Sequence, residues 1–260
     1  MPYSTEPKPY PLHRNAEVIW EIRIQLRGLP GTRGFTGGTM FVGHYGAALA
    51  LNSAERRAPL VLLFLGVQFV DLLFFPLVAI GVERISIIPN ATASTHFTLD
   101  YLPYTHSLVA SVAWSALAFV VAYVILGSGR PGRLPISLVL AASVLSHWVS
   151  DLIVHTPDLP LVTDRSTKLG MGLWNNVFLT YALETVLLVG GLWLYMRSTR
   201  PGKGQLAKYG MPVFVVLLLL INVGNLFGPP PESFTGLFVF AMASYLGFAG
   251  LAFWLDRRRW

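Results

Sequence analysis

Six apolar stretches dominate the chain, at roughly 59–82, 106–127, 135–157, 173–196, 211–228 and 234–255, and none contains a Lys or Arg. A helix needs about 20 mostly apolar residues to cross a bilayer core. Inside that core no water can satisfy backbone N–H and C=O groups, so such stretches must be helical. The rest of the composition agrees. Hydrophobic residues make up 53%, charged residues 12%, and the mean hydropathy is +0.56. Soluble domains carry about 25% charged residues. A disordered chain and a nucleic-acid binder are therefore excluded. The net charge of +6 is explained by basic loops flanking membrane spans.

A seventh stretch, 36–53, is shorter and rich in Gly and Ala. It reads as a short span, a half-inserted helix or one arm of a helical hairpin. The expected fold is an all-α polytopic membrane bundle of six transmembrane helices, with a short N-terminal intramembrane or hairpin helix at 36–53. Residues 1–35 show no signal-peptide core; Ala48-Leu49-Ala50 has small residues at cleavage spacing, but the apolar run before it is weak. Residues 16–28 alternate apolar and charged residues, as an amphipathic surface segment or a short strand would.

Lys and Arg placement orients the bundle. With six spans, the N-terminal segment, 128–134, 197–210 and the C-terminus share one side, leaving Arg84, Arg165 and Lys168 on the other. This places the C-terminus, with Arg257, Arg258 and Arg259, in the cytoplasm. If 36–53 also spans, the bias weakens and keeps its sign. The basic linker 197–210 separates a core of 36–196, rich in buried-type polar residues, from a blander hairpin and basic C-terminus at 211–260. Residues 1–35 form a surface or cytoplasmic segment.

Ionisable residues are expensive inside a bilayer and signal function by default. Asp71, Asp151 and Glu184 lie within apolar spans, and five of the six histidines fall between positions 44 and 155. No basic residue in these spans can pair with the acids. A cation bound by His and Asp satisfies both residue types together. His147, Asp151 and His155 follow at i, i+4 and i+8 on one helix face, with Ser143 a turn earlier. Asn176, Thr180 and Glu184 repeat the pattern, as do Ser107, Ser111 and Ser115, with His106 beside them. If 36–53 and 59–82 form an antiparallel hairpin, His44 falls near Asp71. At 1.5 Å per residue, His44, Asp71, His106, His147 and Asp151 then converge in the outer half of the bundle. One such histidine alone would ordinarily be a hydrogen-bonded packing residue; five groups at compatible depth point to a metal site. The chain has no cysteine, which excludes thiolate ligands, thiol catalysis and disulfides. Zinc suits the imidazole content best, with manganese or iron as alternatives.

Gly43-His44-Tyr45-Gly46, Asp71, Tyr104-Thr105-His106-Ser107 and Ser146-His147-Trp148-Val149-Ser150-Asp151 occur in that order. Over about 36–165 this pattern resembles the bacterial inner-membrane metal-dependent hydrolases sometimes described as a LexA-binding membrane family. More distantly it is similar to zinc-dependent phospholipase C and P1-type nucleases. The chain departs from the family pattern at Tyr101, where a second His is frequent, and at Leu73, where a second Asp is frequent; His155 and Asp158 follow the last motif. The resemblance implies a bacterial plasma-membrane enzyme that hydrolyses esters with a divalent metal.

The chemistry expected is hydrolysis of a phosphoester or other ester in a lipid or lipid-linked substrate entering from the bilayer. Zinc lowers the pKa of water to about 7, and Asp151, Asp71 or Glu184 would accept or orient the proton. Thr105 and Ser107 would hold ligands in place. Two other readings stand beside it: a proton- or metal-coupled transporter or channel, and a structural protein with a vestigial metal site.

Overall fold

A computed structural model describes residues 42–260. The expectations placed on 1–35, on the alternating segment 16–28 and on 36–41 lie outside the described residues. The architecture is an all-helical membrane bundle. Five helices are long and apolar enough to cross a bilayer: α4 (Leu108–Leu126), α5 (Arg133–Val154), α6 (Val177–Ser198), α7 (Gln205–Phe227) and α8 (Phe234–Asp256). The shortest has 19 residues, about 28 Å of helix, close to the roughly 30 Å of a hydrocarbon core. They are preceded by α1 (Gly43–Ala54), α2 (Leu60–Val67) and α3 (Phe69–Ala79).

The stretch 59–82 is not one straight helix. It breaks at Gln68, and α2 and α3 meet at a bend of 50°. In a continuous helix the Val67 carbonyl would accept the Asp71 N–H. Here it accepts Nδ1–H of His147 at 2.7 Å. The break exposes one carbonyl to the bundle interior and turns Asp71 inward in the first turn of α3.

Helix α1 lies along α6 at very close range. A Cβ added at Gly46 would overlap the Leu187 carbonyl, and one at Gly191 would overlap the backbone of Gly46. Small residues facing one another are how membrane helices gain packing without a hydrophobic drive between them. Helix α4 packs on α5 and is otherwise outward-facing, with 11% of its apolar window buried. Its exposed Val109, Val112, Leu117, Val120, Val121 and Val124 suit lipid rather than water.

Two short antiparallel pairs cap one end of the bundle. Strand β1 (Arg84–Ile87) pairs with β2 (Phe97–Tyr101) between α3 and α4, and β3 (Leu159–Pro160) pairs with β4 (Lys168–Leu169) between α5 and α6. A 3-10 turn, Leu173–Asn175, leads into α6. His96 is buried in the loop that joins β1 to β2: its Nδ1 accepts the Asn90 N–H at 3.0 Å, and Nε2 faces the Gly228 carbonyl at 3.2 Å.

At the other end the break between α6 and α7 covers 199–204, so α7 begins earlier than the expected 211 and takes in Lys208. The C-terminus folds back onto this linker. Arg259 donates from Nε to Thr199 Oγ1 (2.9 Å) and from Nη1 to the Ala207 carbonyl (2.8 Å), and Tyr195 donates its hydroxyl proton to Asp256 (2.6 Å).

Candidate metal centre

Four elements converge beneath the β1–β2 hairpin. Helix α1 brings His44, the start of α3 brings Asp71, the approach to α4 brings His106, and α5 brings His147 and Asp151, with His155 at its C-terminal boundary. All six are buried. Two overlapping groups place ligand atoms within 4.8 Å of one another: His44, His147 and Asp151, and Asp71, His106 and His147. His44 reaches Asp151 (Nε2 to Oδ1, 3.4 Å), and its ring stacks on His147 with centroids 4.2 Å apart.

The hydrogen bonds of the histidines all run outward. His147 donates Nδ1–H to Val67, as above. His106 Nδ1 lies 2.8 Å from Thr105 Oγ1, whose own proton goes to Glu83 Oε2 at 2.6 Å. The threonine can therefore only accept from His106. Glu83 is fixed in turn by the N–H groups of Tyr104 and Thr105. His155 donates Nδ1–H to Asp158 Oδ1 at 2.8 Å. The remaining nitrogen of each ring, Nε2, faces a carboxylate, and offers a lone pair there when the ring is neutral.

The separations are short. His147 Nε2 is 3.0 Å from Asp151 Oδ2 and 3.7 Å from Asp71 Oδ1. His106 Nε2 is 3.3 Å from Asp71 Oδ1 and 3.9 Å from Asp151 Oδ2. His155 Nε2 is 3.8 Å from Asp151 Oδ2. Yet Asp151 Oδ2 and both ring nitrogens of His44 are buried without a hydrogen bond. Ligand atoms about 2.0–2.2 Å from a tetrahedral zinc stand about 3.3–3.6 Å apart. Carboxylates facing these nitrogens at such distances require a positive charge among them, carried either by protons on the rings or by a bound cation. The buried His/Asp groups can thus hold a metal ion, and the donor set does not single out one metal.

Asp71 is further oriented by Tyr245 on α8, whose hydroxyl donates to Oδ2 at 2.8 Å. The C-terminal hairpin therefore contributes to the site. Trp174 packs on the His155 ring at 4.0 Å, and Trp148 Nε1 donates to the His106 carbonyl at 3.0 Å.

Glu184 stands apart from both ligand groups. Its Oε2 accepts the N–H groups of Val42 and Gly43 at 2.9 and 3.1 Å, a carboxylate capping the positive end of α1, one residue before His44. The rest of the α6 polar stripe is also structural: Asn176 caps α6, and Thr180 donates to the Leu173 carbonyl. Ser107 caps α4, Ser111 donates to the Thr105 carbonyl, and Ser115 ties α4 to the Ala141 carbonyl of α5. Thr105 alone of the expected supporting hydroxyls touches a ligand-type ring. Asp158, three residues after His155, was named beside the last motif; Glu83 and Tyr245 escaped the sequence reading, because their partners are distant in the chain.

The space above the carboxylates is walled by Phe74, Phe75, Ile85, Phe97, Leu99 and Trp174. Its centre has room for about one water-sized body. Comparison with known proteins finds no matching family model, no matching curated protein and no matching solved structure.

Proposed function

We propose that this protein is a membrane-embedded metal-dependent hydrolase acting on a phosphoester or other ester of a lipid or lipid-linked molecule. The observation that carries the reading is the inward convergence of three Nε2 atoms on Asp71 and Asp151. His44, Asp71, His106, His147 and Asp151 would hold the ion, with His155 adjacent. A divalent ion, zinc by preference for this donor set, would supply Lewis acidity and lower the pKa of a bound water towards about 7. The residues do the rest. Val67, Glu83–Thr105 and Asp158 fix the ring orientations, and Tyr245 holds Asp71. Asp151 Oδ2, free of hydrogen bonds, is the proton acceptor best placed for the reaction. Glu184 Oε2 is engaged at the α1 terminus, which leaves Asp151 better placed than Glu184 for proton transfer. The apolar walls favour a substrate with a hydrocarbon portion.

The resemblance of the His44, Thr105-His106-Ser107 and His147–Asp151 motifs to inner-membrane hydrolases supports the same reading and a bacterial plasma-membrane location with a cytoplasmic C-terminus. One feature favours transport instead: the broken helix α2–α3 beside buried acids, a device of secondary transporters. The test is metal content by mass spectrometry on detergent-purified protein, beside His147→Ala and Asp151→Ala, followed by turnover of phosphodiester and lipid ester panels. Near-stoichiometric metal lost in both variants, with metal-dependent turnover, supports hydrolysis. Absence of metal after reconstitution overturns it, and ion flux across liposomes without turnover favours the transporter.

A further inference from the structure

About two turns from the metal centre along the same face of α5, towards its N-terminal end, helices α2, α4 and α5 leave a long open groove of about 550 Å³. It runs from Pro59 along α2 to Phe69 just past the break, and from Leu126 back to Trp114 along α4, about 18 Å along α4 at 1.5 Å per residue. That is the depth of one leaflet of a roughly 30 Å core. Its walls are almost wholly apolar, and its two arginines, Arg57 and Arg130, lie together at one end. Phe69 and Trp114 close the other, with rings 5.7 Å apart.

The arginines are not equivalent. Arg57 binds Glu55 through Nε (2.7 Å) and Nη2 (2.6 Å), and its guanidinium covers Gly132, where a side chain would overlap it. Nη1 has no carboxylate or carbonyl partner among the described residues. Arg130 is exposed and forms no ion pair among the described residues. The nearby Arg133 is turned away, onto the Tyr123 ring and carbonyl. The mouth of the groove thus carries one uncompensated positive charge and a second guanidinium edge, at the level where a lipid phosphate would lie.

We propose that this groove is a binding site for an anionic phospholipid, its phosphate held between Arg130 and Arg57 and an acyl chain along α4 towards Trp114. Gly66 shapes the floor: a Cβ there would overlap the Ser143 hydroxyl. Charge complementarity at one end and a leaflet-length apolar trough behind it commit the site to a lipid with a negative headgroup. The groove shares no lining residue with the metal centre, so the inference stands or falls separately from the hydrolase reading.

The experiment is native mass spectrometry of the full chain released from micelles containing equimolar phosphatidylglycerol and phosphatidylcholine. Phosphatidylglycerol is expected to be retained preferentially. Each arginine near a membrane surface contributes about a fivefold preference for anionic lipid. Arg130→Gln should lower the ratio by about that factor, and Arg57→Gln/Arg130→Gln should lower it further. Ala118→Trp, which fills the groove, should lower retention of both lipids, and metal content should be unchanged in every variant. Equal retention of both lipids by the unmodified chain overturns the proposal. So does a preference that survives Arg130→Gln and Ala118→Trp, or one lost equally in Arg200→Gln, because lipid is then held only around the bundle at large.

Discussion

Thr105→Val tests whether His106 is a metal ligand by changing an atom that would never touch the metal. The substitution keeps the side-chain shape and removes the hydroxyl that accepts Nδ1–H of His106 at 2.8 Å and donates to Glu83 at 2.6 Å. The imidazole then has two courses. It can keep its proton on Nδ1, leaving a buried donor unsatisfied at a cost of about 1–3 kcal/mol. Or it can move the proton to Nε2 and donate to Asp71 Oδ1, 3.3 Å away, which consumes the lone pair a metal needs. In either case binding weakens, and loss of such an orienting partner typically costs 10- to 100-fold in affinity. Zinc affinity should be measured by competition with a chromophoric chelator in detergent. Thr105→Val is expected to fall by about 10- to 100-fold, and Thr105→Ser, which restores the hydroxyl, to bind like the unmodified protein. The thermal midpoint of the metal-free form separates a packing defect from a coordination defect. Equal affinities for Thr105→Val and Thr105→Ser, with both folded, would refute a ligand role for His106.

Gly46→Ala should lower the thermal midpoint and the yield of folded protein, because its Cβ would strike the Leu187 backbone, and overpacking costs about 1–3 kcal/mol. Gly190→Ala, whose Cβ meets nothing within 4 Å, should change neither. Tyr245→Phe removes a hydrogen bond to a buried carboxylate, worth about 1.5–3 kcal/mol. The midpoint of the metal-free protein should drop, with zinc recovering most of the loss; identical melting of both proteins without zinc would show that Asp71 does not depend on Tyr245.

The spans were legible because apolar length decides them. The expected stretches and the helices agree to within a few residues at most ends, apart from the earlier start of α7. The break at Gln68 was not legible, since it depends on His147, 80 residues away, taking the Val67 carbonyl. The His147–Asp151–His155 stripe was legible from helical spacing alone. Its register with His44 was less so: a hairpin argument placed His44 beside Asp71, whereas close packing of Gly46 on Gly191 sets α1 against α6 and delivers His44 to Asp151. Glu184 shows the limit of reading polarity as chemistry. A buried acid in a span invites a catalytic role, yet a helix that begins inside the bundle leaves N–H groups that need an acceptor, and Glu184 meets that need for Val42 and Gly43.

The same accounting explains why the centre calls for a cation. Asp71 accepts from Tyr245, so Oδ2 presents a lone pair to the hydroxyl, as an ionised carboxylate does. Asp151 has no neutral donor at Oδ2 and faces His147 across 3.0 Å. The histidines have spent their Nδ1 protons on Val67, Thr105 and Asp158, groups that lie outside the cluster. The Val67 carbonyl, Thr105 and Asp158 hold each Nδ1 outward and so aim each Nε2 at a carboxylate. A protonated ring would donate from Nε2 to the acid, and a neutral ring would offer a lone pair there. A divalent ion would balance the two carboxylates and use those lone pairs as bonds, so one species would answer both the charge and the acceptors.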